Sequence, residues 1–400
     1  MLRMSVGHAQ CLDADCAARG AVDSCRRGLG GREPLGLLVC AGVAFDHATI
    51  LGIVAGAFPG VPLVGATTAG EMSSAGTSDD SVLLVAFGGE DVACATGCVL
   101  DFAAPGTNGA AAALAALKTA RAVLTQAPAL CLVLADGSRG GVEPLIQALD
   151  TALGPDCPVA GGLAGRHVAD GGAVRVFCGQ EILAGAAVFL LLSGPIPVAA
   201  RLSRGWKPVG GRARITDATD GVVRRIGEGM ALDFYRYYLG PHAEPAAELP
   251  LAVACEQRKD FILRAPGFFS EDDGSIQFPA GIPEGAMVQL AEANRSEMLA
   301  DLRDMTRTLG KEATEAFRPA GALLFSCATR KEILGTKVFE EAARLTAALP
   351  EGTPVAGFYC QGEIGSAGTG LPLHLHNGSL LALVLGGEAP AKPLADELAE

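Results

Sequence analysis

One glycine-rich phrase recurs along this chain, and the recurrence constrains the fold more than any single residue does. Residues 61–74 read VPLVGATTAGEMSS and residues 353–366 read TPVAGFYCQGEIGS, with a proline, a first glycine, a glycine-glutamate pair and a final serine in register. A third copy, CPVAGGLAGRHVAD at 157–170, keeps Pro158 and Gly161 but carries Arg166 and His167 where the others have Gly and Glu. The flanking text repeats as well. A short apolar run (Leu35 to Cys40, Ala129 to Ala135, Gly321 to Cys327) reads as a buried strand, an amphipathic stretch ending in Pro or Gly reads as a helix, and a further apolar strand follows the phrase.

A unit of this kind leaves an apolar sheet face that its siblings can cover, so the repeats are expected to pack together. A strand-helix-strand crossover pairs its two strands in parallel, and the last strand of each unit is expected to return as a hairpin. The expected fold class is α/β, with repeated strand-helix-strand-hairpin units forming mixed sheets flanked by helices in two domains. In the last unit the hairpin is read at Asn377-Gly378, the strongest two-residue turn signal, which sets His374 and His376 on one face.

A Pro-, Gly- and Arg-rich stretch from Pro195 to about Lys207 marks the main boundary. The two domains are therefore placed at 1–195, with two repeat units, and 196–400, where antiparallel strands and helices precede the third unit. Trp206 at the junction reads as a packing residue. Ser296 is read as the N-cap of a helix that closes at Gly310.

Composition narrows the partners. The 400 residues carry 31 Lys+Arg against 44 Asp+Glu, a formal charge of −13, with no basic run, which argues against nucleic acid. Mean hydropathy is +0.33, but the longest apolar stretch, Ile182 to Leu192, is too short to span a bilayer. The N-terminus lacks the apolar core of a signal peptide, so a cytoplasmic location without membrane attachment is expected. Twelve scattered cysteines with no C-x-x-C read as reduced, buried thiols, and Cys11, Cys16 and Cys25 beside His8 fit no common zinc spacing.

The order of VGATTAGE (64–71), GWKPVGGRARITDATDGVVRRIGEGMALDFYRYYLG (205–240), FSCATR (325–330) and PVAGFYCQGEIG (354–365) with the later HNGS resembles the FIST family, across most of the chain. GEGMALDFY departs from it by lacking the usual Asp-Gly pair before the helix. The resemblance implies an N-terminal and a C-terminal FIST domain, a sensory role, and a small ligand such as an amino acid. It also implies a signalling partner such as a histidine kinase, a cyclic-dinucleotide enzyme or a chemoreceptor, in bacterial two-component or cyclic-dinucleotide signalling. One branch of the family resembles haem-binding nitric-oxide sensors.

An amino acid needs an acceptor for its ammonium and donors for its carboxylate. Gly70 and Gly362 let the backbone approach a ligand, and Glu71 and Glu363 then supply a fixed negative charge for the ammonium. Thr67, Thr68 and Gln361 offer orienting hydrogen bonds, Arg330 a two-pronged grip on a carboxylate, and Asp136 a position at the carboxyl end of a parallel strand. The same residues also fit tight turns whose glutamates cap backbone amides. No phosphate-cradling glycine spacing, G-x-S-x-G or H-E-x-x-H is present, and the Ser and Asp residues of GTSDDS have no histidine close in sequence, so no catalysis is expected. The expectation is no cofactor; the haem alternative rests on His167, or less directly on His47, as an axial ligand.

Overall fold

A computed structural model describes residues 1–167, 172–254, 261–366 and 373–388. The first unit runs β1 (Leu2–Gln10), α1 (Ala14–Leu29), β2 (Gly36–Gly42), α2 (His47–Ala57), β3 (Leu63–Thr68), β4 (Glu71–Ser73), β5 (Gly76–Ser78) and β6 (Ser81–Gly89). The second repeats this order as β7 (Ala93–Val99), α3 (Gly109–Arg121), β8 (Pro128–Ala135), α4 (Val142–Leu153), β9 (Val159–Leu163), β10 (Val176–Cys178), β11 (Glu181–Leu183) and β12 (Ala187–Ser193).

The third opens with β13 (Val198–Ser203) and is then interrupted. The inserted body contains β14 (Trp206–Thr219), β15 (Val222–Ile226), β16 (Gly229–Met230), α5 (Ala231–Leu239), β17 (Leu251–Ala254), β18 (Phe261–Arg264), β19 (Ile276–Gln277) and β20 (Met287–Ala293). The unit resumes with α6 (Arg295–Ala316), β21 (Arg318–Cys327), α7 (Ala328–Leu334), α8 (Glu340–Ala348), β22 (Val355–Cys360), β23 (Glu363–Ser366), β24 (Leu373–His376) and β25 (Leu380–Glu388).

Each unit contributes four strands to its own sheet and lends its short hairpin to another. The orders are β1-β6-β2-β3-β10-β11, β24-β23-β9-β8-β12-β7 and β13-β25-β21-β22-β4-β5, so the first unit's hairpin joins the third sheet, the third's joins the second, and the second's joins the first. The exchange pairs the edges that β3, β9 and β22 would otherwise leave open, satisfying backbone groups that invite aggregation. The parallel pairs are β2/β3, β8/β9 and β21/β22.

Alternate residues of each central strand face opposite ways, which is why the runs are apolar without a break. Leu38 and Cys40, Leu130, Leu132 and Leu134, and Leu323 and Phe325 meet in one core between the three sheets. Their neighbours pack outward under α1 and α2, α3 and α4, or α6 and α8. No described helix is long and apolar enough to cross a membrane.

Several local expectations are corrected. Asn377-Gly378 does not close a hairpin: β24 pairs with β23, whereas β25 pairs with β21 and β13 in a different sheet. Gly378 takes φ 66°, the Trp206 indole lies where its Cβ would be, and Trp206 Nε1 donates to Gly378 O at 2.6 Å. The pair therefore serves a crossing between sheets, pinned by the first residue of the inserted body. His374 and His376 do share a face, with ring centroids 6.1 Å apart.

Helix α6 is capped by Asn294, whose Oδ1 accepts from Glu297 N, and runs through Gly310, which is pressed against Ala348 of α8 where a side chain would collide. Cys11 and Cys16 form a disulfide, because the turn capped by Asp13 folds Cys11 back onto the first turn of α1. The other cysteines described are free thiols. Among the described residues no cluster of metal-binding side chains occurs.

Candidate functional site

The three phrases meet in a hydrogen-bonded ring. Ala69 N donates to Tyr359 O at 2.8 Å, Gly165 N to Thr67 O at 2.7 Å and Gln361 N to Leu163 O at 3.4 Å, three bonds related by the repeat. A second set interleaves: Tyr359 N to Gly70 O, Leu163 N to Gly362 O, and Thr67 N to Arg175 O. The first glycine of each phrase has a structural cause, since a Cβ on Gly65, Gly161 or Gly357 would lie within 2.4 Å of the carbonyl of Val39, Val133 or Leu324 on the adjoining strand.

The third member of the second set corrects the alignment of the middle phrase. Glu71 pairs with Phe358 and Glu363 with Gly162, and the residue in the same relation to Ala66 is Val176, not His167. Arg166 and His167 therefore stand outside the repeat, which resumes at Arg175.

The two glutamates lie behind the ring, fully buried. Glu71 accepts from Thr68 Oγ1, Ser81 Oγ and, at 3.3 Å, Ser81 N. Glu363 accepts from Ser379 Oγ, Ser379 N at 3.1 Å and Cys360 Sγ at 3.4 Å. Each holds the start of a return strand, Ser81 as the first residue of β6 and Ser379 as the residue before β25, and the middle unit has neither member of the pair, with Val176 and Ala186 in their places. Glutamate and serine are present together or absent together. Burial raises both carboxyls, Glu71 to about 7 and Glu363 to about 8, against the hydrogen bonds that lower them. Their expected place at a ligand's ammonium is thus corrected to the wall behind it.

Arg330 is also internal: its Nε donates to Glu341 Oε1 at 2.8 Å and its Nη1 to Arg204 O at 2.8 Å, with both side chains of the ion pair fully buried. Ser326 and Tyr359 donate to the other oxygen of Glu341, each at 2.9 Å. Arg330 therefore grips a protein carboxylate. Thr67 Oγ1 accepts from Arg175 N at 3.0 Å and Thr68 is committed to Glu71. Asp136 accepts from Ser138 N, Ser138 Oγ and Gly185 N, fixing the turn after β8 and the approach to β12. Of the expected contacts, Gln361 alone faces the cavity described next, while Gly70 and Gly362 shape the ring behind it.

A cavity of about 280 Å³ lies at the carboxyl ends of the parallel strands, between the ring and the inserted body. Ala69, Leu163 and Gln361 form its floor, with Arg166 and His167; Ser138, Thr329, Lys331 and Glu332 form one side. Glu248, Pro266, Pro279 and Asn377 close it opposite. The side chain of Lys331 is only 11% exposed; its Nζ donates to Ala69 O at 2.7 Å, pairs with Asp79, lies 3.2 Å from His167 Nε2 and stands over the Tyr359 ring.

His167 also lies 3.4 Å from Asp79. A haem needs an axial histidine in an apolar pocket, and the residues around His167 do not fit one. His47 is engaged too, with Nε2 at 3.0 Å from Gly42 O and its ring against Phe177.

One group escaped the sequence reading, and a second, His8, was read there only beside the cysteines. Lys331 adjoins Arg330 in sequence, and nothing local tells which of the two faces the cavity. His8, on β1, reaches Ser78 Oγ at 2.7 Å, Ser73 Oγ at 2.9 Å and Ser81 Oγ at 3.0 Å, supplying GTSDDS with a histidine from 70 positions away. Burial lowers the His8 pKa, so its ring is neutral at pH 7.

The repeats close into one ring with a cavity above it, and the comparisons identify the family. Residues 34–228 match the FIST N domain and residues 231–366 the FIST C domain. The chain belongs to the FIST family, whose domains are sensory domains of signalling proteins. The two spans meet inside the inserted body, whereas the composition change lies near residue 195.

An uncharacterized protein of Mycobacterium bovis is 27% identical over 406 residues, covering 96% of this chain and 99% of its own. A second, of Mycobacterium tuberculosis, is 27% identical over 254 residues, or 60% of this chain and 64% of that protein. Among solved structures, a cyanuric acid hydrolase from A. caulinodans aligns over 97% of this chain and all of its own, at 10% identity and a TM-score of 0.38.

Proposed function

We propose that this chain is a non-catalytic cytoplasmic sensor that binds a small polar metabolite of amino-acid size between the ring and the inserted body. It reports occupancy to a separate signalling protein such as a histidine kinase, a cyclic-dinucleotide enzyme or a chemoreceptor. The observation that carries this reading is the placement of Lys331. It is a nearly buried cation in a largely apolar cavity at the carboxyl ends of the parallel strands, with acidic Glu332 beside it and Glu248 across from it. Lys331 meets the ligand's carboxylate, the two glutamates and Gln361 meet its ammonium, and Glu71 and Glu363 only support the floor.

A thermal-shift screen of amino acids and small organic acids tests it. A ligand at a hundred times its dissociation constant stabilises the native state by about 2.7 kcal/mol. Lys331→Met is expected to abolish the shift, and Glu71→Gln to preserve it. Failure of every amino acid and organic acid to shift the wild-type melt, or a shift that survives Lys331→Met, would refute the assignment.

A further inference from the structure

We propose that the face of the inserted body formed by α5 and the β14/β15 ribbon docks an acidic protein surface. Helix α5 buries Ala231, Leu232 and Tyr235 against its own body. Its other side carries a second apolar stripe, Met230, Phe234, Tyr237 and Tyr238, at helical spacing. Tyr237 is 82% exposed and Phe268, on the neighbouring loop, 84%. The loop is tied to the helix by Arg236 and Glu271 at 2.6 Å, and Gly274 lies directly under Met230. Tyr237, Tyr238 and Phe234 hold one another edge to face, with centroids 4.9 and 5.2 Å apart, so the rings are ordered before a partner arrives.

The charge around the stripe selects the partner. On the ribbon side of the stripe, residues 204–225 hold six Lys and Arg against two Asp, in a chain of formal charge −13, while the loop on the helix side carries Glu271, Asp272 and Asp273. Tyr238 accepts from Gly211 N at 2.8 Å, which seats the stripe beside Arg212, and Arg225 lies opposite Met230 across a strand pair. Arg212, Arg214 and Arg225 are exposed and contact only uncharged oxygens, those of Gln289, Gly285 and Glu228 O, with no carboxylate partner among the described residues.

Tyr, Met and Arg around an apolar centre are the residues that dominate protein interfaces. The same face of a second copy would bring arginines against arginines. A phosphate backbone or an anionic bilayer would meet the −13 charge of the rest of the chain.

The inference deepens the sensor reading by giving the partner a place to bind, and its test uses no small molecule, so its failure leaves the cavity assignment standing. A photo-crosslinking amino acid is placed at Tyr237 of the full chain, with Val123, 72% exposed on the second unit, as control, in cells that carry the chain. The protein captured at Tyr237 is purified and its affinity measured by titration at two salt concentrations.

The expected result is capture at Tyr237 and not at Val123, with the crosslink on an acidic surface. Tyr237→Ser and Phe268→Ser each weaken binding about tenfold or more, and Arg212→Glu with Arg225→Glu slows association and flattens its salt dependence. These side chains are exposed, so melting curves stay unchanged and folding does not confound the loss. The proposal is overturned by absence of a crosslink at Tyr237, by the same products from Val123, or by binding that survives the substitutions. Capture of only a second copy, nucleic acid or lipid overturns it as well.

Discussion

Glu71→Gln separates a wall carboxylate from a ligand-binding one, and the direction of its pH dependence decides. In the native chain Glu71 is fully buried and its carboxyl is raised to about 7 from an ordinary value of 4.5, chiefly by desolvation. The folded state thus binds this proton more tightly than the unfolded chain. The stability it contributes is complete below pH 4.5 and is lost as the pH rises through 7. At about 1.4 kcal/mol for each tenfold difference in proton affinity, keeping Glu71 ionised at pH 8 costs roughly 3 kcal/mol.

Glutamine has the same shape, accepts from Ser81 N through its oxygen, and donates to the Thr68 or Ser81 hydroxyl, which can rotate to receive it. The variant is expected to match the wild type near pH 4.5 and to gain on it steadily, by up to roughly 3 kcal/mol at pH 8. Urea melts of both proteins at half-unit intervals from pH 4.5 to 8.5 measure the difference directly. Glu363 titrates in both proteins and cancels. A Glu71→Gln protein that loses stability relative to wild type as the pH rises would show that a cation stabilises the ionised carboxylate, and the wall assignment would fail.

The middle unit supplies a second test. Glu71→Val and Ser81→Ala are each expected to cost about 1–3 kcal/mol by orphaning a buried partner, while the double variant, which reproduces Val176 and Ala186, costs less than their sum in a denaturation cycle. Cys178, whose thiol is lowered chiefly by a hydrogen bond from Cys98, should react with iodoacetamide at pH 7.5 faster than the other free cysteines among the described residues, as peptide mass spectrometry will show. Arg264 joins the inserted body to Glu143 at 3.0 Å and to Leu375 O at 2.6 Å; Arg264→Leu should destabilise by about 3 kcal/mol and open residues 204–294 to limited proteolysis.

The strands and the three units were legible because two-sided burial leaves unbroken apolar runs such as LGLLVC and ALCLVLA. The hairpin exchange was not, since the residues that pair β4 with β22 are those that would pair it with any open edge, and local periodicity does not record which edge is nearest. Asn377-Gly378 shows the same limit from the other side: the turn signal was real, but it reports a left-handed glycine and not what the flanking strands join. The middle phrase misled through its length, because matching it without a gap put His167 opposite Glu71 when the backbone resumes the repeat at Arg175. The glutamates were found and both roles stood open, since a carboxylate that caps a backbone amide and one that serves a ligand are written with the same letter; the structure shows the capping role at Ser81 N and Ser379 N. Only the paired loss of both in the middle unit separates them, and that pairing shows once the strands are in register.

The ring is a poor place for a switch. Its bonds are backbone to backbone, they are surrounded by the central core, and packed interiors transmit strain instead of deforming. A signal needs two arrangements between which a ligand discriminates, and equal affinity for both would shift neither. The inserted body can supply them through the contacts that hold it beside the cavity: Trp206 to Gly378, Arg264 to Glu143 and Leu375, Ala265 N to Asn377, Arg330 to Arg204 O, and an apolar cluster of Trp206 and Leu263 with Met298 and Leu334. Arg330 and Lys331 are consecutive on α7, the first holding the chain where it leaves β13 for the inserted body and the second facing the cavity. On the proposed reading, a carboxylate that draws Lys331 away from Asp79 would turn the first turn of α7, and with it the Arg330 contact, so the residue proposed to meet the ligand lies one peptide bond from the residue that positions the inserted body.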